Sequence, residues 1–277
     1  MPRKEPPTPM RHTLRTLALG ALALATLGAS AAPAFASQFD YGTPDIPSPL
    51  STKKGQMFLR MSHRYNAQAF PSDSAPALAA GLGITKNLTL DLYGSTRNRP
   101  VDGELGLRYQ LMDEYDDAPF ALTGRVAYST HVAGSGIGEV IASKNNLLPG
   151  LGVGLVGRYF SYVADYNNPG WMTAAGMGLS YSIAEGLNLI GDVVAPMDQS
   201  VIDKYGFNWT AGLQWWLPDT PHVLVLMVGR MGPGTTYGRT FSPDKDTLRV
   251  GFEYHAHFDA PFFPRRTIVF QGKDDDE

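Results

Sequence analysis

The sequence predicts an all-β fold, a closed antiparallel transmembrane β-barrel of about twelve strands, on three observations. From Met57 to Phe258, stretches of roughly ten residues alternate apolar and polar side chains, the period-two signature of a strand with two unlike faces. The segments joining them alternate short with long, as they do in a barrel with tight turns at one end and loops at the other. An export signal stands ahead of both patterns.

That signal comprises Arg3, Lys4, Arg11 and Arg15, an apolar run from Thr16 to Leu27, and Ala34-Phe35-Ala36 before Ser37. This is the order of a secretory signal with an A-x-A site, so residues 1–36 are expected to be removed. An uncleaved helix is the alternative reading, since Thr16 to Ala36 is barely long enough to span a bilayer. Taking residues 1–36 away removes 4 of 23 basic and 1 of 26 acidic side chains, leaving a formal charge of −6. A surface of that sign offers nothing to nucleic acid. With no cysteine in the chain, disulfides, thiolate metal sites and a lipid-modified cysteine are excluded. No later segment is apolar long enough for a helical span, so any crossing falls to strands.

The Pro-rich stretch Phe39 to Lys54, within 37–56, reads as a periplasmic lead-in. Met57 to Asn66 is the first strand. Ala77 to Ile84 sets Leu78, Leu82 and Ile84 against Ala79, Gly81 and Gly83, which suits a close-packed inner face. In Leu88 to Arg97, Leu88, Leu90 and Leu92 oppose Thr89, Asp91, Tyr93, Ser95 and Arg97. Val101 to Leu111 places Leu105, Leu107, Tyr109 and Leu111 opposite Asp102, Glu104, Arg108 and Gln110. Phe120, Leu122, Val126 and Tyr128 oppose Thr123, Arg125 and Ser129. Pro149 to Tyr166 is long enough for two strands turned near Gly157 and Arg158. Met172 to Tyr181 and Leu187 to Ala195 follow. Phe207 to Trp216 alternates Trp209, Leu213 and Trp215 with Asn208, Thr210 and Gln214. Val223 to Gly229 is apolar on both parities and fits any buried sheet. Thr247 to Phe258 closes the set, with Leu248, Val250, Phe252, Tyr254 and Phe258 against Arg249, Glu253, His255 and His257.

Short connections at Thr85–Asn87, Met112–Ala118, Ser182–Gly186 and Leu217–Pro221 belong to one end. Ala67–Pro76, His131–Asn146, Met197–Gly206 and Met231–Asp246 are the expected outer loops. Aromatic residues recur toward strand ends, at Tyr65, Tyr93, Tyr109, Phe120, Tyr128, Tyr181, Phe207, Trp215 and Phe258. This is an interfacial girdle, or else ordinary β-propensity.

The stretches Met61-Ser62-His63-Arg64-Tyr65, Gly83 to Leu88, Val101 to Tyr109, Gly178 to Tyr181, Leu187 to Leu189 and Leu248 to Phe252 resemble an uncharacterised family of bacterial outer-membrane β-barrel proteins. The shared feature is a His-Arg-aromatic step in the first strand. The resemblance implies a barrel and assigns no activity, so no functional residue is carried over. Barrels of the outer membrane often end on an aromatic residue. Here Tyr254, Ala256 and Phe258 look like that ending, but the chain runs on through 259–277 to the acidic Asp274-Asp275-Asp276-Glu277. Thr267 to Phe270 is a candidate further strand or strap, and the acidic end reads as a solvated tail.

Parity turns Arg60, Arg64, Arg97, Arg108, Arg125 and Arg249 inward together with Asp91, Asp102, Glu104, Asp165, Asp192 and Glu253. Six of each sign point to mutual pairing in the lumen rather than a single-sign selectivity ring. Closure would bring Arg60 and Arg64 toward Glu253. His63, His255 and His257 meet across the same seam, but His63 has the wrong parity for a metal site, and no metal or cofactor is expected. Ser129 with His131 is the best pair for a rim hydrolase and is too generic to carry an enzyme; Ser62 and His63 face opposite ways. The expected role is therefore an integral barrel in contact with outer-membrane lipid, structural or a narrow channel for small solutes. A soluble exported β-protein and an outer-membrane enzyme are the alternatives.

Overall fold

The structure, a computed structural model, describes residues 39–69, 73–96, 102–130, 134–163, 170–241 and 247–260. Among these residues the strands are β1 (Gln56–Asn66), β2 (Ser74–Gly83), β3 (Leu88–Ser95), β4 (Asp102–Met112), β5 (Ala121–Ser129), β6 (Ser135–Leu148), β7 (Leu151–Val163), β8 (Gly170–Ala184), β9 (Leu187–Pro196), β10 (Asn208–Trp216), β11 (His222–Arg230) and β12 (Arg249–Asp259). Each pairs antiparallel with the next, and β1 closes onto β12 in continuous register from Gln56↔Asp259 to Asn66↔Arg249. The fold is a closed twelve-stranded barrel. Closure leaves no sheet edge and satisfies the strand backbone within the wall, which hydrocarbon surroundings require.

The expected count of twelve holds, with one strand gained and one lost. His131–Asn146 is not an outer loop, because β6 begins at Ser135. Pro149 to Tyr166 is not two strands, because β7 runs unbroken through Gly157 and Arg158 to Val163, and its turn lies at Pro149–Gly150. The cause is an inverted face pattern. β6 turns Ile137, Glu139, Ile141 and Ser143 inward, while Gly136, Gly138, Val140 and Ala142 face out. Small residues outside and isoleucines inside hide the alternation that marks β4 or β12.

Outward positions carry the apolar belt. Leu92, Leu105, Leu111, Val126, Val140, Leu155, Trp171 and Leu226 are each more than half exposed. On the described strands the outward parity bears an ionisable Lys, Arg, Asp or Glu only near strand ends, at Lys144 and Arg230. That distribution suits lipid, since a basic side chain on the lipid face costs about 2–4 kcal/mol at the bilayer midplane and little near the interfaces. Tyr109, Tyr128, Trp215 and Phe258 face out as girdle positions should. Tyr93 does not, because its ring is buried inside the barrel.

The interior is filled by two inserted segments. Residues 39–50 lie inside the barrel, with Phe39, Asp45 and Ile46 all fully buried, and this corrects their reading as a periplasmic lead-in. The β11–β12 connection folds inward as well, and residues 231–241 are buried throughout. Both go where the wall is apolar. Phe39 and Ile46 pack on Ile141, Val156 and Val194, while Tyr237 and Phe241 pack on Ile137, Phe160, Val163 and Met172. Burial of Phe39 and Ile46 is worth about 1.5–3 kcal/mol each. Inward glycines on β7 and β8 make the recess: a Cβ on Gly178 would lie 3.0 Å from the Phe39 ring and 3.2 Å from Ile46, and one on Gly154 would overlap the Phe39 ring.

Between β9 and β10 the chain forms a short helix, α1 (Gln199–Tyr205). Asp198 caps it by accepting from the Ser200 amide at 2.8 Å and the Ser200 hydroxyl at 2.7 Å. Those two donors hold the Asp198 carboxyl below its ordinary range.

Candidate functional site in the lumen

Charged side chains enter the lumen from β1, β3 to β7, β9 and β12, and on β6, β7 and β9 they share the inner face with apolar side chains. The centre of the charged set is Arg125 on β5, fully buried. Arg125 Nη2 donates to Asp91 at 2.9 Å and to Glu104 at 3.3 Å, and Nη1 donates to Glu139 at 2.8 Å and to Thr236 of the inserted loop at 3.0 Å. Gly106 makes room for this cluster, since a Cβ there would overlap the Asp91 carboxylate and crowd the Arg125 guanidinium. A planar guanidinium with five donors suits such a junction, where an ammonium would not.

Three further arginines tie the wall to the inserted segments. Arg158 donates to Glu139 at 2.9 Å, to Thr240 at 2.9 Å and to the Asp45 carbonyl at 2.6 Å. Arg64 donates to Glu253 across the β1–β12 seam at 2.9 Å, to the Asp45 carboxylate at 3.2 Å and to the Gly232 carbonyl at 2.7 Å. Arg108 donates to the Tyr93 hydroxyl and to the Ser48 carbonyl, both at 2.9 Å, and lies 3.5 Å from Asp91. The carboxylates do the same from their side. Asp102 accepts from Thr235 at 2.5 Å, Glu104 from Thr236 at 2.7 Å and from the Tyr237 amide at 3.2 Å, and Asp192 from the Asp45 amide at 3.0 Å. Thr123 donates to the Pro49 carbonyl. Arg249 sits at the outer rim, 3.7 Å from Asp73, and Arg60 lies over the Tyr93 ring.

Of the twelve residues proposed from parity, Arg60, Arg64, Asp91, Asp102, Glu104, Arg108, Arg125, Asp192, Arg249 and Glu253 are all buried inside. Arg97 and Asp165 lie outside the described residues. Five members escaped the sequence reading. Glu139 and Arg158 lie in segments whose residue pattern reads as a loop and a turn. Asp45 and Arg239 lie on inserted segments that carry no strand parity. His255, 3.2 Å from Glu253, has the inward parity but reads from sequence as a metal candidate rather than a member of the charge set. A signal for Glu139 existed in its place midway between Ile137 and Ile141.

The other candidates separate. His63 faces outward and hydrogen-bonds the Tyr65 hydroxyl at 2.7 Å, while His255 and His257 turn inward beside Tyr41. Among the described residues no group of three His, Cys, Asp or Glu side chains is placed to hold a metal ion. Ser129 points inward and lies 3.4 Å from Asp102, and His131 is outside the described residues. So are the C-terminal stretch Thr267 to Phe270 and the acidic end.

A solved outer-membrane porin shares the architecture. The chain matches the KdgM porin at 10% identity and a TM-score of 0.52, over 73% of its own length and 99% of that chain. It matches the NanC porin at 12% identity and a TM-score of 0.48, over 72% and 98%. Identities this low carry the fold alone. No protein-family model and no curated protein matches the chain.

Proposed function

We propose that this chain is an outer-membrane barrel whose lumen is closed at rest, and that it passes small solutes through a narrow route opened by displacement of residues 39–50. Export through a cleaved signal at residues 1–36 and lodging in lipid by the apolar outer face belong to the same reading. The observation that carries it is the two-segment filling of the lumen. A barrel built only as a membrane staple has no need of an interior lined with arginine and carboxylate, yet here those groups reach the inserted segments through Asp45, Ser48, Gly232, Thr236 and Thr240. Withdrawing residues 39–50 would uncover Arg64 on β1, Arg108 on β4, Arg158 on β7 and Asp192 on β9, while residues 231–241 stay on Asp102, Glu104 and Arg125. That leaves a narrow passage lined by both signs rather than a single-sign filter.

Planar-bilayer recording of the full chain and of a variant lacking residues 39–50 tests this. The full chain should stay closed at low voltage, and the deletion should give stable conductance steps. A full chain that conducts as a steady open pore would overturn closure. A deletion that stays closed would overturn opening by displacement of residues 39–50. Recovery of the full chain from the periplasm without detergent would remove the membrane reading altogether.

A further inference from the structure

Around Tyr93 the lumen holds guanidinium N–H donors that no contact satisfies. The Cζ atoms of Arg125, Arg239 and Arg60 lie 4.8, 5.5 and 5.6 Å from the Tyr93 ring centroid, so three guanidiniums gather about one ring. Arg125 is fully employed by Asp91, Glu104 and Glu139. The other two are not. Arg239, on the inserted loop, is 1% exposed, and its Nε and Nη2 donors have no hydrogen-bond partner. Arg60, on β1, makes a single long hydrogen bond, from Nη2 to the Gly234 carbonyl at 3.5 Å.

A ring face attracts a guanidinium but cannot accept its in-plane N–H groups. Buried donors left in that state are costly, and a buried charge is tolerated when something of opposite sign completes it. The neighbouring carboxylates accept from other donors, Glu104 from Arg125 and Thr236, Glu253 from Arg64 and His255, and Asp102 from Thr235, although the Glu253 charge also faces Arg60. We propose that Arg239 and Arg60, set against Tyr93, form a binding site for one small oxyanion, a carboxylate or phosphate group, held between the inserted loop and β1. Two guanidinium forks match the paired oxygens of such a group, which chloride does not offer. The site is complete with the lumen closed and does not depend on conduction, so it stands or falls separately from the channel reading.

Equilibrium dialysis of the folded full chain in detergent micelles, with labelled inorganic phosphate against a chloride background, reads the site directly. One saturable phosphate per chain is expected, displaced by acetate, weakened at least tenfold in Arg239→Gln and unchanged in Lys86→Gln at the exposed turn. Should Arg239→Gln fail to fold, Arg60→Gln takes its place with the same expectation. Absence of saturable uptake by the full chain overturns the proposal. So does uptake that the Arg239 or Arg60 variant retains in full, which would be adventitious binding elsewhere.

Discussion

Replacing Arg125 by Met separates a filled lumen from a water-filled one. The substitution removes the donor that serves Asp91, Glu104 and Glu139 and leaves three carboxylates, all essentially inaccessible to solvent, without their shared cation. Each charge-assisted hydrogen bond is worth about 1.5–3 kcal/mol, and breaking a buried pair by removing one partner costs about 3–5 kcal/mol. The cation–π contact with Tyr93 adds up to about 2 kcal/mol when desolvated. A loss of at least about 3–5 kcal/mol is therefore expected. In a lumen open to water the same pairs would be screened and the loss would be about 0–1 kcal/mol. Urea unfolding in detergent, followed by emission of Trp171, Trp209, Trp215 and Trp216, measures the difference. Arg125→Lys, which keeps the charge and loses the fork, should fall between wild type and Arg125→Met. A loss below about 1 kcal/mol for Arg125→Met would refute the filled-lumen account.

Other outcomes follow from the same contacts. Gly178→Leu fills the recess of Phe39 and Ile46, a small-to-large change costing about 1–3 kcal/mol, and should reproduce the conductance of the 39–50 deletion while the barrel stays folded by heat-shift electrophoresis. Asp45→Asn keeps an acceptor oxygen but removes the negative charge facing Arg64, and should weaken retention of the inserted segment by about 1 kcal/mol, seen as faster proteolysis within residues 39–50 with the strands intact. The α1 cap should respond to pH with a definite sign. Because the folded Asp198 carboxyl titrates below its ordinary range, its support is present above that range and is lost as pH falls through the lowered value, and amide protection of Ile202 and Gly206 should decline with it.

What was legible in the sequence depended on whether the two faces of a strand differ. On β3, β4, β5, β10 and β12 lipid faces leucine or aromatic side chains while the lumen faces charge or amide, and parity placed every residue on its proper side. On β6, β7, β9 and β11 the inner face is apolar too, with Ile141, Val156, Val194 and Val225, because it packs against inserted chain rather than water. Alternation fades there for a physical reason. The same fact was the missed clue to the inserted segments, since an apolar strip inside a barrel requires something apolar to cover it. Phe39 and Ile46, isolated among prolines, supply it, and a Pro-rich composition masks that role because it reads equally well as an extended linker.

Cysteine accessibility tests the central claim most directly, and a chain without native cysteine gives a clean background. Single variants Ile46→Cys and Lys54→Cys, folded in lipid vesicles, would be exposed to a membrane-impermeant maleimide. Lys54 is exposed below the barrel mouth and Ile46 is fully buried among Ile141, Val156 and Val194. The account expects Lys54→Cys to label promptly and Ile46→Cys to label only after urea unfolds the barrel. Equal labelling of the two in the folded protein would show that residues 39–50 do not close the lumen.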